Sequence, residues 1–261
     1  MYTFDDKQLP SRLSKYNIKE LNMDMFKFKQ LSKLSSAMTN KHLGQMVSAL
    51  GDVVKNIDVN ELTQGDFYYL LAYQRICAYS KPIYCHWKCR GDMYKDIDTN
   101  AMYTPHQIES LVKEYESADA DVKATLPNPD AIKIETLVCD HSNSLPIVLD
   151  DLQIVFLEDI VLDERLDVPR ANTLADANVL KNDPELGQIV PAAMWIKEGN
   201  TLADKIEVLK SQNDLKLFEL ALLASTTIHH GVRNRVDKKC TVCNTLSTHI
   251  FEITPSIFFL V

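Results

Sequence analysis

The chain has 261 residues, 46% hydrophobic and 25% charged, the composition of an ordinary globular protein. Its 28 Lys and Arg stand against 36 Asp and Glu, a net charge of −8, so polyanions are repelled on average and nucleic acid is not the expected partner. Only 7 glycines occur, no phosphate-cradling glycine motif is present, and no apolar run reaches the ~20 residues that span a bilayer. Met1 to Asp6 lacks the basic and apolar regions of a secretory signal. The six cysteines are therefore expected in a reducing compartment, where paired cysteines hold metal more often than they form disulfides.

Residues 1–18 read as an extended arm, with Pro10 disfavouring helix before it. Helical stripes follow: Leu21, Met25, Phe28, Leu31 and Met38, then Leu43, Met46, Val47, Leu50, Val53, Val54 and Ile57. Thr63-Gln64-Gly65-Asp66 has the form of a capping box opening a third helix with Phe67, Leu70, Leu71, Gln74 and Ile76. Cys77 falls on that helix and reads as a buried, reduced thiol. Pro82 closes the helical region, and Ile83 to Cys89 reads as a strand with Ile83, Cys85, Trp87 and Cys89 on one face.

Residues 90–130 turn polar and acidic and read as an insertion. Within it Thr104-Pro105-His106-Gln107 predicts a helix start, with Ile108, Leu111, Val112 and Tyr115 forming the stripe. Strand patterns return at 132–138, 146–149 and 152–156. Two helices are predicted later, one capped by Thr201 and Asp204, the other by Asn213 and ending at Gly231. Thr248 to Val261 is apolar and β-branched and predicts strand. The expected organisation is a helical segment 1–80, a β segment 81–160 interrupted by the insertion, a helical segment 161–235, and a terminal β segment 236–261. The fold class is α+β, mainly helical, with a discontinuous zinc-ribbon-like β element.

Cys240-Thr241-Val242-Cys243 is a C-x-x-C, half of a tetrahedral zinc site. Thiolates suit zinc as soft, charged ligands, and the ion crosslinks loops that cannot bury a core. Strand 83–89 delivers Cys89 and strand 131–138 delivers Cys139, so these two form the other half, separated by the insertion. Cys85 and His141 are substitutes for one ligand, and reduced buried cysteines without metal are the alternative. A four-ligand site has no open position for substrate, so binding is favoured over catalysis and no catalytic or cofactor-binding residue is assigned. His229-His230 precedes a predicted helix C-terminus, where an imidazolium suits the dipole. The pairs Asp150-Asp151, Glu158-Asp159 and Asp163-Glu164 read as turn charges. Arg233, Arg235, Lys238 and Lys239 form a local basic patch beside the C-x-x-C. The rival classes are a zinc-ribbon nucleic-acid module and an enzyme with a spatially assembled site.

Leu9-Pro10-Ser11-Arg12, Leu62-Thr-Gln-Gly-Asp66 with Arg75-Ile76, Trp87-Lys-Cys89, Cys139 with Leu149-Asp-Asp-Leu152, Cys240-Thr-Val-Cys243 and Phe258-Phe259 follow one another in an order that resembles the baseplate hub proteins of T-even-like contractile-tailed phages, hub subunit and hub assembly factor included. In that family both cysteine pairs are compact, whereas here the first is interrupted and Ser142 stands where a cysteine is expected. The resemblance implies a non-enzymatic structural or assembly role through contacts with other tail and baseplate proteins, or with further copies of the chain. It places the protein in the host cytoplasm during assembly, or in the virion tail baseplate. Apolar, aromatic-rich stretches would carry those contacts, namely Tyr2 to Leu13 and Ile257 to Val261, with pairing inside the molecule as the alternative.

Overall fold

The computed structural model describes every residue except 41, 78–81, 181–182, 188, 212–214 and 260–261. In chain order the elements are β1 (Tyr2–Phe4), β2 (Leu21–Met23), α1 (Phe28–Asn40), α2 (Leu43–Gly51) and α3 (Gln64–Cys77). Next come β3 (Tyr84–Lys88), β4 (Asp92–Asp96), β5 (Met102–Tyr103), α4 (Pro105–Ser117), α5 (Ala120–Lys123), β6 (Ile134–Val138) and β7 (Ser142–Pro146). The chain continues through β8 (Ile154–Val155), α6 (Ala171–Leu180), α7 (Ile189–Ala193), α8 (Leu202–Ser211), α9 (Leu215–Thr227) and β9 (Gly231–Val232), and then β10 (Arg235–Lys239) and β11 (Leu246–Ile250). Helices combine with small antiparallel sheets, which makes the fold α+β. No helix among the described residues is long and apolar enough to cross a membrane.

The chain divides into two units. The first comprises Met1–Pro82, Val148–Asn234 and Phe251–Val261, and the second Ile83–Ile147 and Arg235–Ile250. The segments drawn from the sequence cut across these units: 1–80 and 161–235 belong together, 81–160 divides at Val148, and 236–261 divides at Phe251. Strand pairing decides this, because β10 and β11 pair with each other while the residues after Ile250 join the helical unit.

In the helical unit, residues 1–18 are a packed, turn-rich segment and not an extended arm. β1 pairs with β2, and Leu9, Ser11 and Leu13 are buried. Asp66 holds the segment in place. Its Oδ1 accepts from the Ser11 N–H at 2.9 Å and its Oδ2 from the Tyr16 hydroxyl at 2.5 Å. Thr63 caps α3 as expected, its Oγ1 accepting from the Asp66 N–H at 3.3 Å. The second half of the capping box is replaced, since the Thr63 N–H donates to the Tyr16 oxygen at 2.8 Å. Burial pushes the Asp66 carboxyl up and the Tyr16 phenol up, the latter helped by the Asp66 charge.

Several expectations shift where a local pattern meets tertiary pairing. Leu21 and Met23 alternate inward on β2, and the helix starts only at Phe28. The second stripe ends at Gly51, and Val54 bridges Met23. Gln74 is buried because its side chain accepts from the Phe26 N–H and donates to the Asp24 carbonyl. Cys77, expected buried, is exposed at the last turn of α3. Helix α8 carries the predicted cap, with Thr201 and Asp204 exchanging hydrogen bonds at 2.9 and 3.2 Å, whereas the Asn213 cap lies outside the described residues. After β11 the chain leaves sheet pairing, and Pro255–Phe258 form a 3-10 turn where strand was predicted. Ile257 and Phe258 are buried, held by the Arg75 Nε–H donating to the Ile257 carbonyl at 2.6 Å and by Phe26 against Phe258. Leu9, Ser11 and Leu13 of one suggested contact stretch and Ile257 and Phe258 of the other are thus engaged inside this unit, while residues 260–261 lie outside the described residues.

Helix α9 ends at Thr227, so Gly231 is not its terminal cap; it opens β9 at φ 99°, where a Cβ would lie 2.3 Å from the Gly65 Cα. His230 is buried beside Gly65, and its ring is not an imidazolium at a helix end. Burial drives its titration down to about 4, with the Pro10 carbonyl and Asp167 only partly offsetting this. A histidine neutral in the fold and titrating near 6.5 in the unfolded chain withholds stability as pH falls from about 6.5 towards 4. Between pH 7 and 5, urea unfolding of the wild type is expected to lose about 2 kcal/mol more than unfolding of His230→Gln; equal losses would show that His230 does not set the acid sensitivity.

Candidate metal centre

The second unit is built on an antiparallel ribbon. β3 pairs with β7, matching Lys88 with Ser142, and β4 pairs with β6, matching Asp92 with Val138. Between these pairs the Cys89 N–H donates to the His141 carbonyl at 2.9 Å and the Cys139 N–H to the Gly91 carbonyl at 2.7 Å. The ladder therefore keeps one register from Tyr84–Asp96 against Ile134–Pro146, with Cys89 and Cys139 facing each other diagonally at its middle. The insertion is what lies beyond the ribbon end, residues 97–133, because β4 already belongs to the ladder. Thr104 caps α4 with a full capping box, as its sequence predicts.

The other two sulfurs come from the turn between β10 and β11. The Asn244 N–H donates to the Cys240 carbonyl at 3.0 Å and the Cys240 N–H to the Thr245 carbonyl at 2.9 Å, with Asn244 in the left-handed region at φ 59°. This turn sits against the ribbon's middle. A Cβ on Gly91 would come within 1.9 Å of Thr245 Oγ1, so the approach requires glycine. Trp87 of β3 stacks on His249 of β11 at 4.6 Å between centroids.

Cys89, Cys139, Cys240 and Cys243 are all buried, and their sulfurs lie within 4.8 Å of one another. Cys89 Sγ is 3.4 Å from Cys243 Sγ, and Cys139 Sγ is 3.9 Å from Cys240 Sγ. These separations are far beyond the ~2.05 Å of a disulfide, and all six cysteines of the chain are free thiols. Four convergent sulfurs of this kind can hold a metal ion. Neither substitute ligand takes part: Cys85 is buried elsewhere on β3 and outside the group, and His141 serves the site through its backbone and not its ring.

Backbone and side-chain donors point at the sulfurs. The Gly91 N–H lies 3.3 Å from Cys89 Sγ and the Val242 N–H 3.5 Å from Cys240 Sγ. Asn143 donates from Nδ2 to Cys240 Sγ at 3.4 Å, while its Oδ1 accepts from the Thr241 N–H at 3.0 Å and from the Thr241 hydroxyl. Burial alone pushes the Cys240 thiol up, yet the N–H groups of Cys243 and Val242 and the Asn143 amide reverse this and bring it down to about 6. Burial pushes Cys89 up to about 12 and raises Cys139 as well. The Cys240 sulfur is thus prepared as a thiolate, whereas burial opposes ionisation of Cys89 and Cys139. Sequence reasoning missed Asn143 and Thr245; the available signal was spacing, since Asn143 lies two alternations from Cys139 on the same strand face.

No family model, no curated protein and no solved structure matches the chain.

Cys240→Ser is expected to unfold the ribbon unit or to destabilise it by about 3 kcal/mol or more, as loss of a buried crosslink does. Cys77→Ser, at an exposed helix end, should stay within about 0.5 kcal/mol of wild type. Thermal and urea unfolding of the two variants side by side checks this, and equal effects would contradict the assignment.

Proposed function

We propose that the chain is a non-enzymatic structural or assembly component of a phage tail baseplate hub, acting through protein–protein contacts, and that zinc held by Cys89, Cys139, Cys240 and Cys243 completes a discontinuous zinc-ribbon-like element. The observation that carries the reading is the closed four-sulfur group. Zn–S bonds of about 2.3 Å set tetrahedral edges of about 3.8 Å, and two of the sulfur separations here are 3.4 and 3.9 Å with all within 4.8 Å. All four positions are taken by protein, which leaves no place for a substrate or an activated water and makes the ion a crosslink. Zinc is favoured because soft thiolates in a tetrahedral set match it, and because each sulfur pair adds N–H donors that stabilise thiolate charge. The baseplate role rests on the ordered resemblance of Leu62–Arg75 and of the C-x-x-C and Phe258-Phe259 to hub proteins.

The metal part is checked by mass spectrometry on protein purified without added metal. One equivalent of zinc per chain is expected, and strong chelator should remove the ribbon unit's structure. Less than about half an equivalent with an unchanged fold in chelator would retire zinc. Asn143→Ala should weaken zinc about 10- to 100-fold in chelator competition, as loss of an outer hydrogen bond to a ligand does. The biological part is checked by affinity purification from infected cells and by probing finished particles; recovery with neither tail intermediates nor particles would count against it.

A further inference from the structure

Two exposed surfaces of the ribbon unit differ in charge and share apolar character. The first belongs to the insertion. Helix α4 buries none of its residues, and residues 97–133 carry seven carboxylates against three lysines. A helix this short depends on packing for most of its stability. Between α4 and β5 runs an open groove of about 370 Å³, lined by Tyr103, His106, Gln107, Ser110, Leu111 and Glu114. Tyr103 and Leu111 give it apolar surface, and Glu114 gives it a carboxylate.

The second surface is the outer face of the β10–β11 hairpin. Strand alternation turns Val236 and His249 inward, towards Trp87, and turns Arg235, Asp237 and Lys239 outward. Across the ladder Arg235 faces Ile250 and Lys239 faces Leu246. Ile250 is 78% exposed and Leu246 57% exposed. Two branched apolar side chains thus stand in the open, each beside a cation. Over Arg235–Ile250 there are three cations and one carboxylate.

The two surfaces cannot meet within one chain. The Trp87–His249 contact lays the hairpin along β3, on one side of the ribbon's middle, whereas Tyr103 of the groove pairs with Tyr94 of β4 on the other side. The seven residues from Trp87 to Tyr94 separate them by roughly 23 Å. Pairing groove with groove would bring the insertion's carboxylates together, and pairing hairpin with hairpin would bring Arg235 and Lys239 together. Charge therefore disfavours both symmetric contacts and favours the mixed one.

We propose that the groove of one copy takes the β10–β11 hairpin of a second copy, Ile250 entering between Tyr103 and Leu111 while Arg235 meets Glu114. The contact is head-to-tail, so it closes into a ring or continues as a filament. It stands independently of the baseplate reading, since both surfaces belong to the chain itself.

Sedimentation of the full chain as purified tests it. The weight-average mass of the wild type should rise at least about twofold with concentration at low salt and fall back when salt shortens the screening length to about 3 Å. Glu114→Lys and Arg235→Glu should each remain monomeric, because each damages one of the two surfaces. Mixed, they should form a 1:1 pair through the intact groove of Arg235→Glu and the intact hairpin of Glu114→Lys. Ile250→Ser, at an exposed position, should also remain monomeric with an unchanged fold. A wild type monomeric at all concentrations overturns the proposal and leaves the groove to a different partner. Self-association persisting in Ile250→Ser or in Glu114→Lys assigns the contact to another face and overturns it equally.

Discussion

Convergence of four sulfurs at the middle of one ribbon is the constraint on which the second unit depends. Its buried side chains are few, and the cluster at its centre consists of Cys89, Met93, Cys139, Cys240 and Cys243. A unit with so little apolar core draws little stability from burial alone. The ladder supplies Cys89 and Cys139 without a break in register, and the tight turn of Cys240–Thr245 docks on the one residue, Gly91, that leaves room for it. Each hydrogen bond to sulfur then reinforces both the geometry and the charge the site needs.

The helical unit is organised differently. Its core is apolar, with Trp195, Ile196, Leu217 and Ala221 among the buried residues of one cluster. The unit also buries the carboxylate of Asp66, which fastens Ser11 and Tyr16 to α3. Burying that carboxylate is tolerable because the Ser11 N–H and the Tyr16 hydroxyl each donate to one of its oxygens. His230 is kept neutral by burial against Gly65.

What the sequence disclosed follows the range of the forces involved. Thr63, Thr104 and Thr201 mark helix starts because a cap is settled within three residues. The C-x-x-C and the split partner pair Cys89 and Cys139 were legible from spacing and strand pattern, and the structure brings all four together. Distant pairing was not legible. The apolar stripe at Leu21 serves a strand because β1 lies beside it, and the tail after Ile250 abandons sheet because Arg75 and Phe26 claim Ile257 and Phe258. Cys77 looked buried because a helix stripe does not reveal which turn emerges from the core. The support given by Asn143 required knowing that two strands hold the same register on both sides of the cysteines.

The separation of the sulfurs along the chain also has a consequence for biosynthesis. Cys139 and Cys240 are 101 residues apart. At about 5–20 residues per second, roughly 5–20 s pass on the ribosome between the appearance of the first pair and of the second. During that interval two thiols are present with only half a coordination shell. Four sulfurs can therefore surround a single ion only after Cys243 has been made, about 100 residues later than Cys139.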